Sequence, residues 1–294
     1  AIATTELAYD AGRIKGMKQT ADSETRQSTY GYDAHGWPAS FVNALGEQTG
    51  YEHDIAGRLR KLTRPDQEKT LWALNDANQV TELTPAGSLA HVLRYDDTTK
   101  LLEDIEPPAI TPAGAGVVSF DYDVKAHELT KMTRADARSI AFEYDSAGRV
   151  SAQRFPTASI DLRYTAGHLT RISRTDGVSV EQSFDGPLWT GTKWSGAVQG
   201  NVKASYDDNL WLSSLTVNDQ STVSFGYDAD GLLTSASSSV GGITLSRDAQ
   251  SGSVTSTTLG NTTSQHAFSG FGELSHTSAA CSGTTLFEQN IVER

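Results

Sequence analysis

The chain reads as all-β, a repeat array of antiparallel β-hairpins, and two observations predict that class. First, a tyrosine-aspartate pair followed by a glycine turn returns about every 21 to 22 residues along the 294-residue chain. Second, apolar and polar residues alternate between the turns, the period of two that gives a strand one apolar face. Aligned on the second position of the pair, the units centre on Asp10, Asp33, Asp54, Asp76, Asp96, Asp123, Asp145, Thr165, Asp185, Asp207, Asp228, Asp248 and Ser269. The position before holds Tyr9, Tyr32, Tyr95, Tyr122, Tyr144, Tyr164, Tyr206 and Tyr227, with Phe184 and Phe268 as substitutes and His53, Asn75 and Arg247 as exceptions. Residues 1–294 thus form a single array of about thirteen hairpin units.

One unit shows why each element forms. In residues 139–155, Ile140, Phe142 and Tyr144 alternate with Ala141 and Glu143, so one set of side chains lines one face of a strand. Asp145-Ser-Ala-Gly148 follows. An aspartate opening a turn accepts from backbone N–H groups two or three residues on, and the closing glycine tolerates positive φ. Arg149 and Val150 begin the return strand. The same spacing joins Asp33 to Gly36, Asp54 to Gly57 and Asp228 to Gly231, with a shorter form from Asp10 to Gly12 and from Thr165 to Gly167. Asp96-Asp-Thr-Thr-Lys lengthens the turn, and Asp76-Ala-Asn-Gln lacks the glycine.

A second set of turn residues lies between these motifs: Pro65-Asp66, Pro85-Ala-Gly87, Asp176-Gly177, Asn218-Asp219, Gly241-Gly242 and Gly260-Asn261. Two turns per unit make each unit one hairpin. About 26 strands spaced roughly 4.8 Å apart would span some 125 Å, too wide for a twisted sheet to stay flat. The expectation is a spiralling sheet, a hollow shell or tube. Residues 106–116, rich in Pro and Gly, lengthen the spacing between Asp96 and Asp123 and read as a loop insertion, since proline cannot donate to a ladder. Residues 277–294 read as a tail or partial repeat.

Composition narrows the function classes. A net charge of -12 opposes nucleic-acid binding, which needs clustered cations. No run approaches the roughly 20 apolar residues of a membrane-spanning helix, and residues 1–10 carry no export signal, so this segment is expected to insert in no membrane. The chain opens inside a repeat and without methionine, which reads as a fragment of a longer protein. A hydrophobic fraction of 37% suits a folded but thin-walled body. Cys281 is the only cysteine, which excludes an internal disulfide and a cysteine metal cage.

Tyr-Asp-Ser-Ala-Gly-Arg-Val at 144–150 and Tyr-Asp-Ala-Asp-Gly-Leu-Leu at 227–233 resemble the Y-D-x-x-G-R-L pattern of the YD-repeat, or RHS-repeat, family, and weaker copies cover nearly the whole chain. That family includes bacterial RHS proteins, shell components of insecticidal toxin complexes, wall-associated proteins and teneurins. The resemblance implies hairpins spiralling into a shell or tube, secreted or displayed at a cell surface. The self-cleaving core segment of toxin-bearing members, with its D-P-x-G-R-F sequence, has no counterpart in residues 277–294.

Little of the sequence points to chemistry. His127-Glu128 begins a zincin-like pattern, but Lys131 stands where the second histidine belongs. Neither a G-x-S-x-G elbow nor a phosphate-binding loop occurs. Asp228 and Asp230 resemble part of a calcium loop that lacks its later ligands. Trp37, Trp72, Trp189, Trp194 and Trp211 read as wall packing rather than a carbohydrate platform. The expected site is therefore structural: Tyr9, Asp10, Tyr32, Asp33, Gly36, Asp54, Gly57, Tyr95, Asp96, Tyr122, Asp123, Tyr144, Asp145, Gly148, Tyr164, Tyr206, Asp207, Tyr227, Asp228 and Gly231. No catalytic residue, cofactor or metal is expected.

The function expected is a non-enzymatic structural or interaction segment, a β-spiral scaffold of a secreted or cell-surface protein. The alternative is part of an encapsulating shell that houses a toxin or other cargo polypeptide. Expected partners are the remaining repeats or capping domains of the parent chain, an encapsulated polypeptide or a cell-surface partner.

Overall fold

The computed structural model describes residues 3–109 and 116–291. Every regular element in it is a strand. The first fourteen are β1 (Thr4–Asp10), β2 (Arg13–Ala21), β3 (Glu24–Tyr32), β4 (Pro38–Val42), β5 (Gln48–His53), β6 (Leu59–Thr63), β7 (Lys69–Leu74), β8 (Val80–Thr84), β9 (His91–Tyr95), β10 (Leu102–Glu106), β11 (Val118–Asp123), β12 (Glu128–Thr133), β13 (Ser139–Tyr144) and β14 (Val150–Arg154). The others are β15 (Ser159–Thr165), β16 (His168–Arg174), β17 (Ser179–Asp185), β18 (Leu188–Ser195), β19 (Gly200–Tyr206), β20 (Leu212–Val217), β21 (Ser221–Tyr227), β22 (Leu233–Ser238), β23 (Gly241–Arg247), β24 (Val254–Leu259), β25 (Thr262–Phe268), β26 (Leu274–Cys281) and β27 (Thr284–Asn290). No helix among the described residues is long and apolar enough to cross a membrane.

Two compact units divide the chain. One contains Thr5–Gln19 and Thr25–Ile160; the other contains Ala1–Thr4, Thr20–Glu24 and Asp161–Arg294. In the first, each strand from β3 to β14 pairs antiparallel with the next in sequence. In the second, the same nearest-neighbour pairing runs from β16 to β27. Short turns impose this order outside the longer β10–β11 connection, because a loop of two to six residues leaves the return strand nowhere to pair but beside its predecessor.

Two boundaries differ from the sequence reading. Glu106 is still the last residue of β10, paired with Val92, so the proline-rich insertion starts after it. Residues 110–115 of that insertion lie outside the described residues, as do 292–294. The segment expected as a tail or partial repeat from residue 277 carries the second half of β26 and all of β27.

Burial is shallow. Ala21 and Ala152, at 5% and 2% exposure, are the buried apolar residues, and no large side chain is fully buried among the described residues. The accessible surface is 18890 Å², against about 12,000 Å² for a compact globule of this mass. Among the described residues the strands within each unit contact their ladder neighbours, an arrangement that leaves more surface open than a two-layer core would. What remains is lateral packing between side chains of adjacent strands. Around β13, one face carries Tyr144, Phe142 and Ile140, opposed by Val150, Gln153 and Met132, while Glu143, Arg154 and the buried Ala152 take the other.

The registers contain a device absent from the sequence reading. Tyr144 pairs with Val150 but Glu143 pairs with Ala152, so Ser151 is an extra residue on the return strand. The same bulge recurs at Ala39, Arg60, Thr81, Thr130, Ser213, Thr234 and Thr255. In two of them the hydroxyl caps the facing carbonyl: Thr130 Oγ1 donates to Asp121 O at 3.0 Å and Thr255 Oγ1 to Ser246 O at 3.2 Å. Bulges bend a strand and increase its right-handed twist, so a bulge in hairpin after hairpin builds coiling into the local geometry.

Candidate functional site: the hairpin turns and their stitches

The turns are built around one carboxylate oxygen. Asp54 Oδ1 accepts from Ala56 N at 2.9 Å and Arg58 N at 3.0 Å, while Asp54 N donates to Arg58 O at 2.9 Å and Gly57 N to Asp54 O at 3.0 Å. Asp33, Asp145, Asp207 and Asp228 repeat this pattern. The donors are therefore two and four residues on, where two and three were expected. The reason is the fourth turn residue, a glycine or, after Asp207, Leu210: its own N–H donates to the aspartate carbonyl, leaving the N–H of the next residue to the carboxylate. The expected spacing of two and three does hold at Asp96, Asp123 and Asp248.

One unit was misaligned. Asn75, not Asp76, opens its turn, since Asn75 N donates to Gln79 O at 3.0 Å and Asn75 Oδ1 accepts from Gln79 N at 3.0 Å. Leu74 then holds the aromatic position and Asn78, at φ 64°, the glycine position. An adjacent aspartate hid the shift.

Glycine does a second job. The side chain just after one turn reaches across the glycine of the next: Trp37 lies over Gly57, Trp211 over Gly231 and Arg13 over Gly36. A Cβ on Gly57 would stand 2.8 Å from Trp37 Cε2, and one on Gly231 2.9 Å from Trp211 Cζ2. Positive φ, 82° and 79°, is thus only half the requirement. His35 stacks on Trp37 at 4.7 Å and Trp211 tilts against Tyr227 at 5.5 Å, placing these tryptophans in the wall.

Tyrosine hydroxyls stitch hairpin to hairpin. Tyr144 donates to Leu129 O at 2.8 Å, Tyr95 to Val80 O at 3.0 Å, Tyr206 to Trp189 O at 2.6 Å, Tyr227 to Leu212 O at 2.9 Å and Tyr32 to Ile14 O at 2.9 Å. Leu129, Trp189 and Leu212 are the residues paired with Tyr122, Phe184 and Tyr206, so these three bonds land opposite the preceding aromatic, while Val80 lies opposite Leu74. Burial pushes the phenols of Tyr95, Tyr122 and Tyr144 above their ordinary value, which keeps Tyr95 and Tyr144 protonated as the donors of their bonds. Tyr164 is half-buried in β15, and Tyr9 is exposed, with Asp10 beside it 3.5 Å from Lys15.

Arg247 turns from exception into substitute. Its Nε and the adjacent guanidinium nitrogen donate to Leu233 O at 3.2 and 3.0 Å, the carbonyl a tyrosine would reach, and its third nitrogen to Gly252 O at 2.8 Å. Arg247→Leu should therefore lower the local stability of the β23–β24 hairpin, while Arg247→Tyr should preserve it. Amide exchange across residues 233–259 reads the difference; equal protection in both variants would contradict the substitution.

A second motif escaped the sequence reading. Arg64-Pro-Asp66, Arg134-Ala-Asp136 and Arg174-Thr-Asp176 open the intervening turns, with aspartate accepting from Glu68 N, Arg138 N and Val178 N at 3.1, 3.1 and 3.3 Å. Each arginine lies beside its aspartate. The R-x-D spacing was its available signal. Asn43 performs the aspartate role at another such turn, accepting from Leu45 N at 3.0 Å and Glu47 N at 2.9 Å.

Electrostatics follow from these bonds. The carboxyl of Asp54 is held below the ordinary 3.8 by the Arg58 backbone N–H and its guanidinium, with burial opposing. Asp145 is lowered first by the Arg149 side chain, then by its backbone N–H. A folded value below the unfolded one means the stabilisation is present above the unfolded pKa and lost as pH falls through the folded one. Hairpin protection should consequently be flat near neutrality and fall below about pH 4. Asp54→Asn, copying Asn43, should retain the turn and blunt that acid loss locally; an unchanged acid profile at residues 50–63 would count against it.

No group of three metal-ligating side chains converges among the described residues. His168 stacks on Phe184 at 4.4 Å, His266 bonds Thr277 and His276 bonds Glu288, each at 3.2 Å. The repeated carboxylates face backbone donors, and a one-layer array of bulged, stitched hairpins defines a wall-forming protein.

The comparisons agree with that class. The family model for the teneurin YD-shell matches residues 1–292, and the chain belongs to that family. In the crystal structure of TcdB2-TccC3-Cdc42 a chain superposes with a TM-score of 0.64 at 13% identity, covering 98% of this chain and 20% of that one. The Photorhabdus luminescens Tc holotoxin pore gives 0.64 and 13%, covering 97% and 19%. A curated relative, the double-stranded DNA deaminase toxin A of Burkholderia cenocepacia, is 28% identical over 145 residues, 49% of this chain and 9% of that protein. The chain thus spans a small part of each.

Proposed function

We propose that this chain is a stretch of wall in a YD-shell that houses a polypeptide cargo, acting as scaffold and not as an enzyme. The observation that carries the scaffold reading is that the recurring aspartates and tyrosines are spent on backbone donors and carbonyls, which leaves the repeated chemistry nothing to do on a substrate. The cargo reading draws support from the similar proteins, whose names are those of toxins and toxin complexes and of which this chain matches only a fraction. A secreted or surface-displayed parent, with further repeats or capping domains as neighbours, follows from the same reading.

The test uses the whole polypeptide that carries this segment. Limited proteolysis should spare its non-repeat part while the wall is intact and cleave it once the wall is opened by a stitch-breaking pair such as Tyr206→Ala with Tyr227→Ala. Cleavage of the non-repeat part at the same rate before and after opening would reject encapsulation and leave the adhesion scaffold as the better account.

A further inference from the structure

The turn Ser269-Gly-Phe-Gly272 carries two glycines where the motif calls for one. Gly272 takes the left-handed conformation at φ 81°; Gly270 is not among the positive-φ residues, so backbone conformation does not demand a glycine there. Space does. A Cβ on Gly270 would stand 2.7 Å from the Cβ of Ala21 and would also meet the Asp22 carboxylate. Ala21 and Asp22 belong to the tip joining β2 to β3, at the opposite end of the sequence and within the same compact unit. Ala21 is 5% exposed, one of the two buried apolar residues, and Gly270 is buried too. Beside the contact lies a concavity lined by Phe271, Ser275 and Ile291 on one side and by Ala21, Asp22 and Glu24 of the tip on the other.

The tip itself is unusual. Asp22 and Ser23 both take positive φ, 47° and 72°, in a two-residue turn without glycine. Most such turns place glycine at one of the two positions. A conformation of that kind persists where its surroundings hold it, and the 269–272 turn is what the tip rests against.

We propose that the β2–β3 tip is a latch, and that position 270 is kept free of a side chain so that the latch can seat. Seating closes the seam between the tip and the β25–β26 turn. Parting the wall at this seam requires lifting residues 20–24. The device depends on neither the cargo nor the family reading.

The test is amide exchange on the intact chain. Gly270→Leu should raise exchange at residues 20–24 and 269–275 by about tenfold or more, leaving residues 139–154 unchanged. Gly50→Ala is the control, because its Cβ would meet only Thr63 at an ordinary 3.7 Å. If Gly270→Leu does not fold, Gly270→Ala serves instead, since its Cβ alone would lie 2.7 Å from that of Ala21. Unchanged exchange at residues 20–24 in whichever of the two variants folds overturns the latch.

Discussion

Gly57→Val is expected to destabilise its hairpin by about 2–5 kcal/mol, the largest effect of any single turn substitution considered. About 1–2 kcal/mol comes from forcing a side chain into the left-handed region. About 1–3 kcal/mol more comes from overpacking, since the new Cβ would lie 2.8 Å from Trp37. Gly46 separates the two causes. It has φ 80° but nothing within 4 Å of its would-be Cβ, so Gly46→Val should cost only the backbone part. Amide exchange in β4 to β6 measures both, and equal losses would show that the tryptophan contact contributes nothing.

Tyr227→Ala is expected to cost about 2–3 kcal/mol locally, below the range for a fully buried aromatic because the ring is half-exposed. The loss combines ring packing against Trp211 with the bond to Leu212 O. Tyr227→Phe isolates the bond at about 1 kcal/mol. In a repeat array, stability is a sum of unit and neighbour terms, so the damage should concentrate in β19 to β22 instead of spreading evenly. Even loss of protection across every hairpin would refute the stitch.

Much of this was legible in the sequence because hairpins are local. The aspartate, the glycine and the aromatic sit within five residues of one another, and alternation marks the strand before them. Legibility failed where the physics is not local in the same sense. The register at Asn75 was missed because either neighbouring residue offers a turn-capping oxygen, and only the ladder tells them apart. Arg247 reads as a lost tyrosine by residue type alone, but its guanidinium reaches the equivalent carbonyl, that of Leu233. The R-x-D turns lay in plain view, but at irregular intervals.

The sequence by itself determined the class: about thirteen hairpins in series, with turns capped by their own side chains. It also pointed the acidic residues toward architecture, and at Asp33, Asp54, Asp96, Asp123, Asp145, Asp207, Asp228 and Asp248 the carboxylate accepts from backbone N–H groups close by in the chain. Only the tertiary structure decided what each hairpin gives its neighbour: the tyrosine bond onto the preceding return strand, the tryptophan laid over the next glycine, and the β2–β3 tip against Gly270. The physical reason is range. Turn chemistry is settled by bonds between residues two to four apart, whereas packing depends on bulge and register, and those emerge only when whole strands are laid side by side.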